Sequence, residues 1–203
     1  MKTVEIIKRL LRIITISTII LLFYTSCDDA CEHNNESDTE NNDVVSVYKI
    51  GDAGPGGGIV FYDKGSDFDG WRYLEIAPNN IGLFNWSTSM IFTSDIGTAI
   101  GTGKSNTQRI IYSHPDDSDR NNAAMACAAY RGPNNLSDWF LPSKDELNAL
   151  YERINFAGIN ISGSFWSSSQ IGTNEAWYQS LTNGDQLNGN KSLLINVRAV
   201  RAF

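Results

Sequence analysis

Sustained apolar patterning in the folded part of this chain starts after residue 43. Residues 59–62 and 71–76 are short runs of β-branched and aromatic residues, separated by the Gly/Asp-rich stretch 64–70. They read as two core strands joined by a hairpin or long turn. Residues 78–103 are rich in Gly, Ser, Thr and Asn and hold no steady period, which predicts irregular structure with Trp86 and Phe92 as plugs into the core. Ser105 and Gln108 have the spacing of a capping box, in which hydroxyl and amide each satisfy a backbone N–H at a helix start. A short helix through Ile110, Ile111 and Tyr112 is expected to follow. Asp119 or Asn121 is placed to open a second, Ala-rich helix running to about Tyr130, after the break at Pro115. Ser143 and Glu146 repeat the box, and Leu147, Leu150, Tyr151 and Ile154 recur at i, i+3, i+4 and i+7, the stripe of an amphipathic helix. Residues 165–168, 176–181 and 193 onward return to strands, with Asn183-Gly184 as a turn dipeptide between the last two. Strands, then helices, then strands predict an α+β domain: short helices packed on small antiparallel sheets, with long irregular loops.

A different pattern occupies the beginning. Lys2, Lys8, Arg9 and Arg12 lead into an apolar run over residues 13–24, interrupted only by Thr15, Ser17 and Thr18. That run is well short of the roughly 20 residues a membrane-spanning helix needs, so residues 1–26 read as a cleavable signal peptide. Its end, Leu22-Phe23-Tyr24-Thr25-Ser26-Cys27, resembles a lipobox and makes Cys27 the residue to be lipidated. Tyr24 stands where such boxes usually carry Leu, and the alternative is a secreted soluble protein. Residues 27–46 are mostly Asn, Asp, Glu and Ser, too poor in apolar groups to offset the entropy of ordering, and read as a disordered tether. One domain over 47–203, of ordinary size, completes the chain. The organisation is that of an exported protein, lipid-anchored at the outer membrane or cell surface.

Removal of the leader leaves 12 Lys+Arg against 22 Asp+Glu, a net charge of −10. No Lys/Arg cluster longer than a pair follows the leader, so a nucleic-acid partner is not expected. Cys127, inside Ala-Met-Ala-Cys-Ala-Ala, reads as a small buried thiol, with a disulfide to Cys31 as the alternative in an oxidising compartment. Gly101-Thr102-Gly103-Lys104-Ser105 suggests a phosphate loop, but the required first glycine falls on Thr98 and no strand leads in; no nucleotide partner is expected. Gly54 to Gly58 precede a strand rather than a helix, which favours a tight turn or close backbone packing over an anion site. Asp63, Asp67 and Asp69 lack the terminal Glu of a calcium loop and read as turn chemistry. Asp116, Asp117 and Asp119 read as a solvated loop with a helix cap. No metal or other cofactor is expected. The histidines are His33 and His114 alone, and no nucleophile, base and orienting group come together in a recognisable spacing, so the chain does not read as an enzyme.

Several segments taken together resemble one family. They are Ile50-Gly51-Asp52 to Gly58 leading into Ile59-Val60-Phe61-Tyr62-Asp63; Gly70-Trp71-Arg72-Tyr73-Leu74-Glu75 to Pro78; Ile100-Gly101-Thr102-Gly103-Lys104; Asp138-Trp139-Phe140-Leu141-Pro142-Ser143-Lys144-Asp145-Glu146-Leu147; Phe165-Trp166-Ser167-Ser168-Ser169; and Val197-Arg198-Ala199-Val200-Arg201. Spread over nearly all of residues 48–203, they resemble the Lcl C-terminal-like domain, named after a collagen-like adhesin and found in bacterial surface lipoproteins. The resemblance implies a C-type-lectin-like fold, akin to that of formylglycine-generating enzymes, and a role in binding or adhesion. The catalytic cysteine pair of those enzymes has no counterpart, and the lectin tripeptides Glu-Pro-Asn and Trp-Asn-Asp are absent. The adhesin's sulfated polysaccharide ligands fit poorly with a charge of −10. Trp71, Trp139, Trp166 and Trp177 read as core, because each stands in or beside an expected strand or helix start. Folds of this type commonly present ligand-contacting side chains around the last hairpin, which here carries Asn174, Gln186, Asn188, Asn190 and Lys191. The expectation is a membrane-tethered, non-enzymatic binding domain for a glycan or protein; the alternative is a structural envelope lipoprotein engaging partner proteins.

Overall fold

A computed structural model of the chain describes residues 47–114 and 121–203. Its elements in chain order are β1 (Ile59–Phe68), β2 (Trp71–Ile76), β3 (Gly82–Phe84), α1 (Gly103–Ser113), α2 (Ala123–Ala129), α3 (Lys144–Arg153), β4 (Ser164–Gln170), β5 (Glu175–Ser180), β6 (Gln186–Asn190), β7 (Ile195–Val197) and β8 (Val200–Ala202). The readings that concern Cys27, Cys31, His33, Asp116, Asp117, Asp119 and the 27–46 tether lie outside the described residues. Among those described, no helix is long and apolar enough to cross a membrane.

The first hairpin turns on Asp69 and Gly70, both with positive φ (66° and 76°), a geometry whose twist matches the strands it joins. It lets β1 continue to Phe68, well past its apolar part, with register shifts between Val60 and Tyr62 and between Asp63 and Phe68. β8 pairs with the other edge of β2, giving a three-stranded antiparallel sheet in the order β1-β2-β8. The second sheet has the order β3-β7-β4-β5-β6, antiparallel except where β4 meets β7. The last apolar stretch is therefore two short strands in different sheets. Between them Arg198 is buried, its guanidinium donating to the carbonyls of Ala77 and Pro78 at 2.6 and 2.7 Å.

Two cores result. Phe61, Leu74, Ile76, Phe165 and Val200 close on the apolar side of α3, Leu147 and Leu150. Trp86, Trp166, Leu141, Val197 and Ile110 form the second, with Ala123, Ala124 and Cys127 of α2 against them. Trp86 and Trp166 are fully buried. Each removes about 200 Å² from water, roughly 5 kcal/mol of transfer free energy. Their indole N–H groups donate to Ser167 O (2.9 Å) and Phe84 O (3.0 Å), so burial strands no donor. Phe92, expected as a plug, is instead 59 % exposed on its loop.

The helices show where local patterns suffice. At α3 the capping box forms: Ser143 accepts from the Glu146 N–H, and Glu146 reaches back to the Ser143 N–H. α2 is capped by Asn122, one residue beyond the expected Asn121, through a bond from Met125 N. α1 starts two residues before Ser105, at Gly103, and has no side-chain cap of its own; the Ser105 hydroxyl donates to Thr102 O instead. Its buried face is mostly polar, Asn106 and Thr107 beside Ile110, which is why apolar periodicity defined it poorly.

Candidate functional site

The glycine-rich segments hold the protein's own carboxylates. Glu75 is fully buried at the end of β2 and accepts from the N–H groups of Gly56 and Gly58, both at 2.9 Å, and from Arg201 at 3.0 Å. Arg201 also binds Asp138 at 2.5 Å. A Cβ on Gly54, Gly56 or Gly58 would come within 3 Å of the Glu75 carboxyl group; this close approach is the reason for the glycines. Glu146 fills the same role at the 101–105 loop, accepting from Gly101 N (2.8 Å) and Gly103 N (3.3 Å) at the head of α1. The N–H groups that a phosphate would need are occupied by a carboxylate. Burial pushes the Glu146 pKa upward, against these hydrogen bonds, which pull it down. At the third candidate, Asp63 is bound by Arg72 (2.8 Å) and Gly65 N (2.7 Å). The Arg72 bond, foremost, holds its carboxyl below the usual range.

Among the described residues, a thiol and a histidine-paired serine are deeply placed. Cys127 is a free, fully buried thiol whose pKa burial drives well up, which makes it a poor nucleophile. Ser87 Oγ lies 2.9 Å from His114 Nε2, a pairing the sequence did not suggest. His114 Nδ1 faces Ile110 O at 2.7 Å, a contact that requires a proton on Nδ1. With Ser87 and His114 at 0 and 1 % exposure, the pair packs the end of α1 rather than meeting solvent.

One polar surface with an ordered geometry is the β5–β6 hairpin. Its register sets Glu175 opposite Asn190, Trp177 opposite Asn188 and Gln179 opposite Gln186, and side chains two apart along a strand share a face. Gln186, Asn188 and Asn190 therefore stand in a row beside Trp177, which is half-buried and covered by the Lys144 ammonium 4.2 Å from the ring centroid. Gln186 donates to Lys144 O (3.3 Å) and Gln179 to Asn148 Oδ1 (3.1 Å), fastening the row to α3. Asn188 donates to Glu175 at 3.2 Å. At the Asn190 end the row opens into a depression of about 490 Å³ lined by Asn174, Glu175, Asn190 and the 171–173 turn.

No protein-family model matches the chain, and no similar curated protein is found. Function is therefore read from the geometry of the site.

Four of the five expected contact residues, Asn174, Gln186, Asn188 and Asn190, thus gather on one hairpin. Lys191 does not join them. It is fully buried, with Nζ donating to Ile91 O (2.9 Å) and Gln170 Oε1 (2.7 Å) and lying 4.3 Å from the Trp86 ring centroid. Desolvation pulls its pKa down to about 8. The correction has a physical cause: two oxygens and an aromatic face replace water around the ammonium. Trp139 and Trp166 are core as expected, whereas Trp71 and Trp177 are only half-buried. Trp177 and Lys144 are the contact candidates that sequence reasoning missed. The Asn183-Gly184 turn held the signal, because strand pairing across it brings Trp177 toward the amide row.

Proposed function

We propose that this chain is an exported lipoprotein, anchored through Cys27 at the outer membrane or cell surface, whose domain is a non-enzymatic binding module for a glycan or protein. The motif segments that resemble the Lcl C-terminal-like family support a C-type-lectin-like fold, and the small sheets with short helices are compatible with it. The observation that carries the binding reading is the row of Gln186, Asn188 and Asn190 in register with Trp177 and Glu175. Along the strand these amides repeat about every 7 Å, and each offers both donor and acceptor. Trp177 adds apolar area. Because the row stands on paired strands tied to α3, little ordering entropy is lost on binding. Glu175 at its Asn190 end and the −10 charge of the leaderless chain disfavour a polyanion.

A second reading, a structural envelope lipoprotein engaging partner proteins, draws on Leu83 in edge strand β3 and Leu194 before β7, which are 58 and 65 % exposed.

Screening the full chain against glycan and extracellular-protein arrays tests the first reading. Asn188→Ala with Asn190→Ala is expected to cut the strongest signal about tenfold or more, with an unchanged melting temperature. Undiminished binding would reject the site. The anchor is tested separately by labelling cells with a fatty-acid analogue: Cys27→Ala should lose the label, and equal labelling of both forms would exclude lipidation there.

A further inference from the structure

Helix α1 buries Gly103, Asn106, Thr107 and Ile110 and turns Lys104, Ser105, Gln108, Arg109 and Tyr112 outward, Tyr112 at 88 % exposure. Two troughs meet on that outer face at Ser105 and Gln108. One, of about 560 Å³, reaches Thr93, Arg109 and Tyr112; the other, of about 550 Å³, reaches Asp69, Trp71 and Thr102. We infer that together they form a second ligand site, separate from the β5–β6 face, and that its ligand is an uncharged oligosaccharide.

The walls carry the chemistry of sugar recognition. The unpartnered hydroxyl of Thr93 and the amide of Gln108 offer donors and acceptors, and the hydroxyls of Thr102 and Ser105, which donate to Ala99 O and Thr102 O, keep acceptor capacity, between two aromatic side chains, Trp71 and Tyr112, on which the C–H faces of sugar rings can pack. α1 has 11 residues and is about 16 Å long, a length suited to a short chain rather than a monosaccharide. The charges nearly cancel. Lys64, Lys104 and Arg109 stand against Asp69 and Asp95, with Arg109 and Asp95 paired at 3.2 Å, so the groove has little field to select a polyanion.

A further observation points to a ligand. Thr93 is 2 % exposed and its hydroxyl oxygen has no hydrogen-bond partner, a deficit that a ligand hydroxyl would remove. The wall that carries it is held from behind. Gln170 bonds both the N–H and the C=O of Thr93, and Lys191 bonds Gln170 and Ile91 O. The buried lysine is therefore a positioning residue for this groove. At the other end Gly101 lies against Trp71, and the Lys64 ammonium sits 4.1 Å from the indole centroid, where an incoming sugar displaces it.

The test is calorimetric titration of the full chain with chitohexaose, cellohexaose and mannohexaose, and with a heparin hexasaccharide as the anionic arm. At least one neutral hexasaccharide is expected to bind, and more tightly than the heparin fragment. Its affinity should fall about tenfold or more in Gln108→Ala with Tyr112→Ala, both exposed changes, and stay unchanged in Asn188→Ala with Asn190→Ala. Failure of all three neutral sugars, preference for heparin, or binding that survives the α1 changes would overturn the inference. Sensitivity to the hairpin changes alone would move the sugar to the β5–β6 face and overturn it as well.

Discussion

The buried polar centres and the β5–β6 face use similar side-chain chemistry in opposite ways. Glu75, Glu146 and Lys191 each meet at least two partners, and most of these are main-chain groups of distant loops. Their hydrogen-bonding capacity goes into holding segments that have no regular structure of their own: the 54–58 turn, the head of α1 and the 91–93 loop. Asn188 and Asn190 are exposed and keep most of theirs. The side chain of Asn188 donates to Glu175, and that of Asn190 accepts from Ser192, whereas an asparagine side chain can make about four such bonds. Saturated groups specify a fold, and unsaturated ones on a paired strand stay open to solvent.

Removing one saturated centre tests that contrast most severely. Glu75→Ala leaves Arg201 without its buried acceptor and two glycine N–H groups without theirs. Loss of one member of a buried ion pair typically costs about 3–5 kcal/mol, a large share of a domain's net stability. Denaturant unfolding should show a loss of that size. A change below about 1 kcal/mol would mean that water enters the cradle easily, and the distinction between the two regions would fail.

The two regions also differ in how far they can be read from the sequence. The Ser143–Glu146 box was legible because its partners are three residues apart and need no tertiary information. The second task of the same glutamate, heading α1 from more than 40 residues away, depends on how α1 and α3 pack and leaves no local trace. Glu75 lies where β2 is covered on both faces, Leu74 and Ile76 being buried with it, so alternation could not place it. β6, Gln-Leu-Asn-Gly-Asn, has no apolar period and is a strand only because β5 pairs with it; its amides were legible as polar surface but not as a row. Lys191, in a polar stretch, read as solvated because the Trp86 ring that covers it is 105 positions away.

Lys191 gives the finer test, because its saturation competes with a desolvation cost that pH can expose. With a folded-state pKa of about 8, against the ordinary value near 10.4 in the unfolded chain, the unfolded state binds more protons between these values. Stability contributed by this group must therefore rise with pH across that window. Lys191→Met keeps an apolar stem against Trp86 and removes the titration. The stability difference, wild type minus Met, should be nearly flat below pH 7 and climb by up to about 3 kcal/mol toward pH 10.5, a slope of about 1.4 kcal/mol for each pH unit between the two pKa values. Cys127 and Tyr130 also carry raised pKa values, but both are present in either protein and cancel in the difference. Denaturant unfolding at half-unit steps from pH 6.5 to 10 measures it. A flat difference throughout would show that Ile91 O, Gln170 and the Trp86 face restore what burial removes.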